Sequence, residues 1–161
     1  MVSRKNSFER IARLLFLAYC LLMIWLLFGQ RIGFWQEGNY FENLFAKVNL
    51  IPFATISSQF ERLWNNSYLA RHCFINLAGN IVMFVPFGLL MPAVWKQLTS
   101  LWRFVLCMTA VIVLIELIQL FSLLGSLDVD NYILNIIGSL IGFCINRTVY
   151  EIIRKNKSDR H

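Results

Sequence analysis

Residues 116–142 read ELIQLFSLLGSLDVDNYILNIIGSLIG, which is two apolar segments joined by an acidic turn. The charged and amide residues of this stretch are few and lie near the turn: Glu116, Gln119, Asp128, Asp130, Asn131 and Asn135. A carboxylate inside an apolar segment of membrane length is energetically costly, and by default it indicates a functional site. We therefore expect the rest of the chain to be arranged around this turn.

The composition places the chain among integral membrane proteins. Of its 161 residues, 58% are hydrophobic and 15% are charged, whereas soluble domains carry about 25% charged residues. The length fits a single domain over residues 1–161. The net charge of +6 comes from basic residues that flank the apolar runs and form no patch with aromatics, so it indicates membrane topology and not a nucleic-acid partner.

Four apolar runs predict an all-α fold with four transmembrane helices, at about 11–29, 73–95, 104–124 and 132–150. In the second run, Pro86 predicts a kink. In the fourth, Gly138 and Gly142 form a G-x-x-x-G pair that suits close helix packing and leaves a homodimer open.

An outer loop over residues 30–72 separates the first two predicted spans. It mixes charged residues with aromatics, and the spacing of Ser58 and Glu61 predicts a short helix that starts near Ser58. We expect this loop to be partly helical. The sequence leaves open whether it rests on the membrane or folds over the protein as a lid.

The distribution of Lys and Arg predicts the orientation. Eleven of the 15 basic residues lie in or beside the two termini and the 96–103 loop. Because basic residues accumulate on the cytoplasmic side, both termini are expected to be cytoplasmic. The outer loop and the acidic turn then face outward.

This orientation brings polar residues of three spans to a similar depth near the outer surface. Glu116, for example, lies about two helical turns below the outer end of the third span. We therefore predict an outward-facing polar pocket that binds a ligand. Eight residues are expected to form it: Asn76, Asn80, Glu116, Gln119, Asp128, Asp130, Asn131 and Asn135.

A plainer interpretation of these residues stays open. The amides could only hold helices together, by hydrogen bonds worth about 0.6 kcal/mol each. Asp128 and Asp130 could form a solvated turn. Glu116 fits this interpretation less well, since no Lys or Arg within the spans pairs with it; Arg71 is its nearest plausible cation.

Four patches of sequence carry a resemblance to a known family. They are N-L-I-P-F at 49–53, N-x-x-x-N-x-x-x-F-x-P-F-G at 76–88, E-x-x-Q at 116–119 and D-V-D-N-Y-I-L-N-x-x-G at 128–138. In these patches the chain resembles the VanZ-like family of small bacterial membrane proteins. Two positions depart from the family pattern: Asn131 stands where an Asp is frequent, and Gly125 stands near a frequent Arg.

The resemblance implies a multi-pass protein of the bacterial cell membrane that gives low-level resistance to teicoplanin, a lipoglycopeptide antibiotic. Our first hypothesis is a non-enzymatic protein, without a cofactor, whose pocket binds the lipoglycopeptide or a cell-wall lipid precursor. The alternative is a membrane enzyme that modifies a lipid-linked headgroup, with Glu116 as general base. Asp128 and Asp130 could then hold Mg²⁺ or Ca²⁺. The sequence leaves metal binding open, and we assign no catalytic residue.

Overall fold

The computed structural model describes residues 2–29, 38–65 and 67–158. Within these ranges the chain forms six α-helices and one two-stranded sheet. In chain order the elements are α1 Val2–Leu27, α2 Tyr40–Ala46, β1 Val48–Asn49, α3 Ala54–Asn65, α4 Ser67–Val94, α5 Leu101–Phe121, β2 Leu127–Asp128 and α6 Val129–Ser158. The predicted all-α class is confirmed, because the strands contribute only four residues.

Four of the helices are long and apolar enough to cross a membrane, as predicted. The spanning segments are Glu9–Leu27, Ala70–Val94, Leu101–Phe121 and Val129–Asn156. A 3₁₀ turn at Lys96–Thr99 joins the second to the third. Helix α4 contains both Pro86 and Pro92 and continues through them as one helix, so the kink at Pro86 stays a prediction.

Helices α4 and α6 form the largest helix–helix interface, and glycines bring their backbones together. A Cβ at Gly138 or Gly142 would overlap the carbonyl oxygen of Ile81 or Val85 on α4. Gly88 of α4 lies equally close to the backbone of α6. The G-x-x-x-G pair is therefore used inside the chain. This motif therefore no longer supports a homodimer, which stays a prediction.

A hydrophobic core fills the space between α4, α5 and α6. Its fully buried members are Phe84 of α4 and Phe104, Met108 and Ile112 of α5, and Phe143 of α6 is 4% exposed. The Phe104 and Phe143 rings lie 4.7 Å apart between centroids. Close packing of these large side chains stabilises the three-helix arrangement through van der Waals contacts, because lipid supplies no hydrophobic driving force between helices.

Helix α1 packs along the edge of this group, against α4. The rings of Phe16 and Tyr19 meet the ring of Phe87 edge-on, and the Tyr19 hydroxyl donates to the Met83 carbonyl. Most other large side chains of α1 are exposed, such as Leu14 at 66%. A helix with one packed stripe and an apolar remainder is what a lipid environment requires.

The outer loop folds against the acidic turn. Strand β1 pairs in parallel with β2, with Val48 opposite Leu127 and Asn49 opposite Asp128. Helix α3 begins at Ala54, so the start predicted near Ser58 is wrong by four residues. The reason is tertiary: the carboxylate that caps α3 belongs to Asp130, far along the chain, and not to a side chain of the loop.

We expect Gly142→Ala to destabilise the protein by about 1–3 kcal/mol, because its Cβ must displace the α4 backbone. Thermal unfolding of the purified protein in detergent measures this. The matched control is Gly79→Ala on α4, where an added Cβ meets nothing within 4 Å. That variant should unfold at the same temperature or slightly higher, since Ala favours helix. Equal loss in both variants would contradict the close α4–α6 packing.

Candidate functional site

A partly enclosed cavity lies at the end of the bundle where α5 ends and α6 begins. Its volume is about 340 Å³. It is lined by seven of the residues that the sequence analysis selected: Asn76, Asn80, Glu116, Gln119, Asp128, Asn131 and Asn135. The structure thus brings together side chains from three spans and the acidic turn. That these residues bind a ligand stays a prediction.

Asp130 is the selected residue that does not line the cavity. It is completely buried beneath the start of α3. Its Oδ1 accepts the Phe53 N–H at 2.6 Å, and its Oδ2 accepts the N–H groups of Thr55 and Ile56 at 2.8 and 3.0 Å. The first N–H groups of a helix have no partner within the helix and carry partial positive charge, so a carboxylate there is stabilising. Asp130 therefore holds the outer loop in place.

Asp128 ties the same loop to α6. Its Oδ2 accepts the Thr55 hydroxyl at 2.6 Å, and its Oδ1 accepts the Asp130 N–H at 2.9 Å and the Asn49 amide at 3.5 Å. The solvated-turn interpretation is wrong for this pair, since Asp128 is 5% exposed and Asp130 is fully buried. Every carboxylate oxygen of the two residues already accepts a hydrogen bond. Among the described residues, no group of three or more His, Cys, Asp or Glu side chains is placed to hold a metal ion.

Glu116 lies on α5 and forms part of the cavity wall. It is 4% exposed, and no described residue donates a hydrogen bond to its Oε1. Asn135 Oδ1 on α6 and Gln59 Oε1 on α3 are also buried, and no described residue donates a hydrogen bond to either atom. Buried acceptors without a donor are rare in proteins and cost about 1–3 kcal/mol each. All three residues line the cavity, so a donor placed there would satisfy them.

Other polar groups of the cavity do link helices, as the plainer interpretation proposed. The Asn80 amide donates to Asn131 Oδ1 at 2.9 Å and joins α4 to α6. The Gln119 amide reaches the Leu27 carbonyl at 3.4 Å and joins α5 to α1. Asn76 is exposed at the cavity's rim. The same group of residues thus links helices by hydrogen bonds and lines the cavity.

The cation beside this site differs from the one expected. Arg71 is exposed and is not among the lining residues, whereas Lys47 of the outer loop does line the cavity. The Lys47 ammonium donates to the carbonyl of Leu123, just after α5. A pairing of Arg71 with Glu116 is wrong for the described structure, in which neither residue takes part in an ion pair.

Three lining residues of the outer loop escaped the sequence analysis: Lys47, Thr55 and Gln59. They flank the N-L-I-P-F patch at 49–53, which was quoted only for its resemblance. The patch forms the β1 end and the turn before α3, so it positions its neighbours over the cavity. The motif was the signal in the sequence that could have pointed to these residues. Their place at the cavity follows only from the way the loop folds onto the acidic turn.

We expect Asp130→Ala to release the outer loop. Three N–H groups at the start of α3 would lose their acceptor, at a cost of about 2 kcal/mol or more. Hydrogen–deuterium exchange of peptides from residues 38–65 should then become roughly tenfold faster or more. Glu61→Ala, on an exposed position of α3, is the control and should leave exchange at the start of α3 unchanged. Normal protection in Asp130→Ala would show that the loop is held by other contacts.

The similarity to known proteins extends over most of this fold. A model of the family described as VanZ/LLP1 matches residues 16–151. Protein VanZ of Enterococcus faecium is 24% identical over 151 residues, which cover 93% of this chain and 82% of that protein. No solved structure matches the chain. The family match includes every residue that lines the cavity.

Proposed function

Because the chain belongs to the VanZ/LLP1 family, we propose that it confers low-level resistance to the glycopeptide antibiotic teicoplanin. It would act in the bacterial cell membrane, as a multi-pass protein without enzymatic activity. Its cavity would bind either the lipoglycopeptide itself or a cell-wall lipid precursor. The bilayer is its environment, and the four apolar helices support that placement.

The observation that carries this proposal is the polar cavity at one end of an otherwise apolar bundle. Its volume of about 340 Å³ lies in the range of small-molecule sites. Buried oxygen acceptors to which no described residue donates line it, and sugar hydroxyls or amines are suitable partners for them. A polar headgroup is therefore the part of an amphipathic ligand that this cavity would take.

The outer loop supports the apolar half of the same proposal. It exposes large hydrophobic side chains beside the cavity end of the bundle: Phe41, Phe45, Leu50, Ile51, Phe53, Phe60 and Trp64. Trp64 is 92% exposed and Phe45 is 71% exposed. Such a surface suits an acyl chain or the interface region of the bilayer. The cavity could thus bind the headgroup of a lipid-linked or acylated ligand, and the outer loop could bind its acyl chain.

The cavity end is proposed to face outward, with both termini cytoplasmic. The α1 start, the 3₁₀ turn and the α6 end lie together at the opposite end, where Glu9 and Lys96 form an ion pair at 3.1 Å. Most Lys and Arg residues belong to that end. An antibiotic that arrives from outside, or a precursor in the outer leaflet, could then reach the cavity directly.

Thiol labelling tests this orientation, in a background where the four native cysteines are replaced by Ser. Ser126→Cys at the cavity should react with a membrane-impermeant maleimide on intact cells. Gln97→Cys in the 3₁₀ turn is the matched control and should react only after lysis. The opposite pattern would reverse the orientation and remove access from outside.

A membrane enzyme acting on a lipid-linked headgroup is the second candidate. One observation favours it: Glu116 is a buried carboxylate in a cavity, with one oxygen that no described residue occupies. This is the position that a general base would need. Against it, the geometry gives Asp128 and Asp130 a structural role, since both accept hydrogen bonds from the outer loop. Binding without turnover therefore fits the geometry better.

Direct binding tests the proposed function. We expect the purified protein to bind teicoplanin at least tenfold more tightly than vancomycin, which lacks the acyl tail. Burial of about two methylene groups is enough for that factor. Calorimetric titration in detergent measures both affinities. If the protein binds neither antibiotic nor a cell-wall lipid, the proposed function fails.

The same experiment extends to cells through variants of the cavity. Glu116→Ala and Asn80→Ala should lower the inhibitory concentration of teicoplanin to that of cells without the protein, at normal protein abundance. Glu151→Ala, in an exposed ion pair with Arg147 at the other end of α6, is the control and should keep resistance. A fall of abundance in step with resistance would favour the purely structural interpretation of the cavity residues.

A further inference from the structure

The wall of the cavity presents acceptors from three different helices. They are Glu116 Oε1 on α5, Asn135 Oδ1 on α6 and Gln59 Oε1 on α3. Glu116 and Asn135 are 4% and 6% exposed, so bulk water does not compensate them freely. No described residue donates a hydrogen bond to any of the three. A group that enters this cavity therefore meets oxygens in need of a donor.

Several side chains of the same wall donate hydrogen bonds to the protein itself. The Asn80 amide bonds to Asn131, the Gln119 amide to a carbonyl of α1, and the Lys47 ammonium to the Leu123 carbonyl. An anionic group such as a phosphate would face the carboxylate of Glu116. A donor-rich, acceptor-poor group fits the cavity better.

The charges of the lining residues further limit which chemical group the cavity can bind. Two carboxylates line the cavity, those of Glu116 and Asp128. Both oxygens of Asp128 accept hydrogen bonds from the protein, whereas Glu116 Oε1 accepts none from a described residue. A buried carboxylate at membrane depth is stabilised by a cationic partner. The exposed Arg71 does not line the cavity, and the Lys47 ammonium, which does line it, donates to the Leu123 carbonyl and forms no ion pair with Glu116 in the described structure. A cationic group of the ligand would give Glu116 such a partner.

We propose that the cavity binds a primary ammonium group of its ligand, with Glu116 as the counter-ion and Asn135 and Gln59 as further acceptors. A primary ammonium has three N–H donors and no acceptor, so it suits a wall whose unsatisfied atoms are oxygen acceptors. A hydroxyl offers one donor and adds lone pairs. This inference rests on the proposal that the cavity is a binding site, and it names the chemical class of the group bound there.

Three sugars of similar size test the inference on the unaltered protein in lipid nanodiscs. D-glucosamine carries the ammonium, N-acetyl-D-glucosamine has it blocked, and D-glucose replaces it with a hydroxyl. Calorimetric titration should show D-glucosamine binding roughly tenfold or more tightly than the other two, because both of those lose the ion pair between the ammonium and the buried carboxylate. Equal affinity for the three sugars, or binding of none, would overturn the proposal.

Variants identify the counter-ion. Glu116→Gln keeps the side chain's shape and removes its charge, so the preference for D-glucosamine should disappear. Glu151→Gln, at the other end of α6, should keep the preference. A preference that persists in Glu116→Gln would contradict the role of Glu116. Thermal unfolding of both variants, compared with the unaltered protein, shows whether the fold is intact.

The outcomes also separate this inference from the proposed function. Preference for D-glucosamine without any teicoplanin or lipid-precursor binding would support the ammonium site and overturn the antibiotic role. Teicoplanin binding with no preference among the three sugars would support the proposed function and overturn the ammonium site.

Discussion

The hydrogen bonds between the acidic turn and the outer loop are the constraint on which the cavity depends. Asp130 accepts three N–H groups at the start of α3, and Asp128 accepts the Thr55 hydroxyl beside them. Charge-assisted hydrogen bonds of this kind are roughly twice as strong as neutral ones. They hold α3 over the bundle, so that Gln59 and Lys47 face the same space as Glu116. Without them the cavity would lose its cover.

The close approach of α4 and α6 provides the second constraint. Backbone contact at Gly88, Gly138 and Gly142 places the two helices near enough for the Asn80 amide to reach Asn131. Lipid supplies no hydrophobic driving force between helices, so packing of small residues and interhelical hydrogen bonds must stabilise the pair. The same arrangement aligns the polar end of α4 with the acidic turn. Structural and cavity residues are therefore neighbours for one physical reason.

Against this well-bonded frame, the unsatisfied acceptors of the cavity stand out. The acidic turn shows that the protein can satisfy buried carboxylates completely, as it does at Asp128 and Asp130. Glu116 lies on the neighbouring helix, yet one of its oxygens lacks a donor among the described residues. A polar group kept at such a cost is expected where a ligand, and not the fold, supplies the partner.

The sequence by itself determined the four spans and the depth of most cavity residues. Helical rise and apolar length set both, which is why Glu116 and Asn80 could be assigned to one pocket before the fold was known. Only the tertiary structure decided that Asp130 caps α3 instead of lining that pocket, and that Lys47 replaces Arg71 beside it. Those outcomes depend on β1 pairing with β2, a contact between segments almost 80 residues apart. Local periodicity carries no information about such a contact, because its energy arises only when the loop and the turn meet.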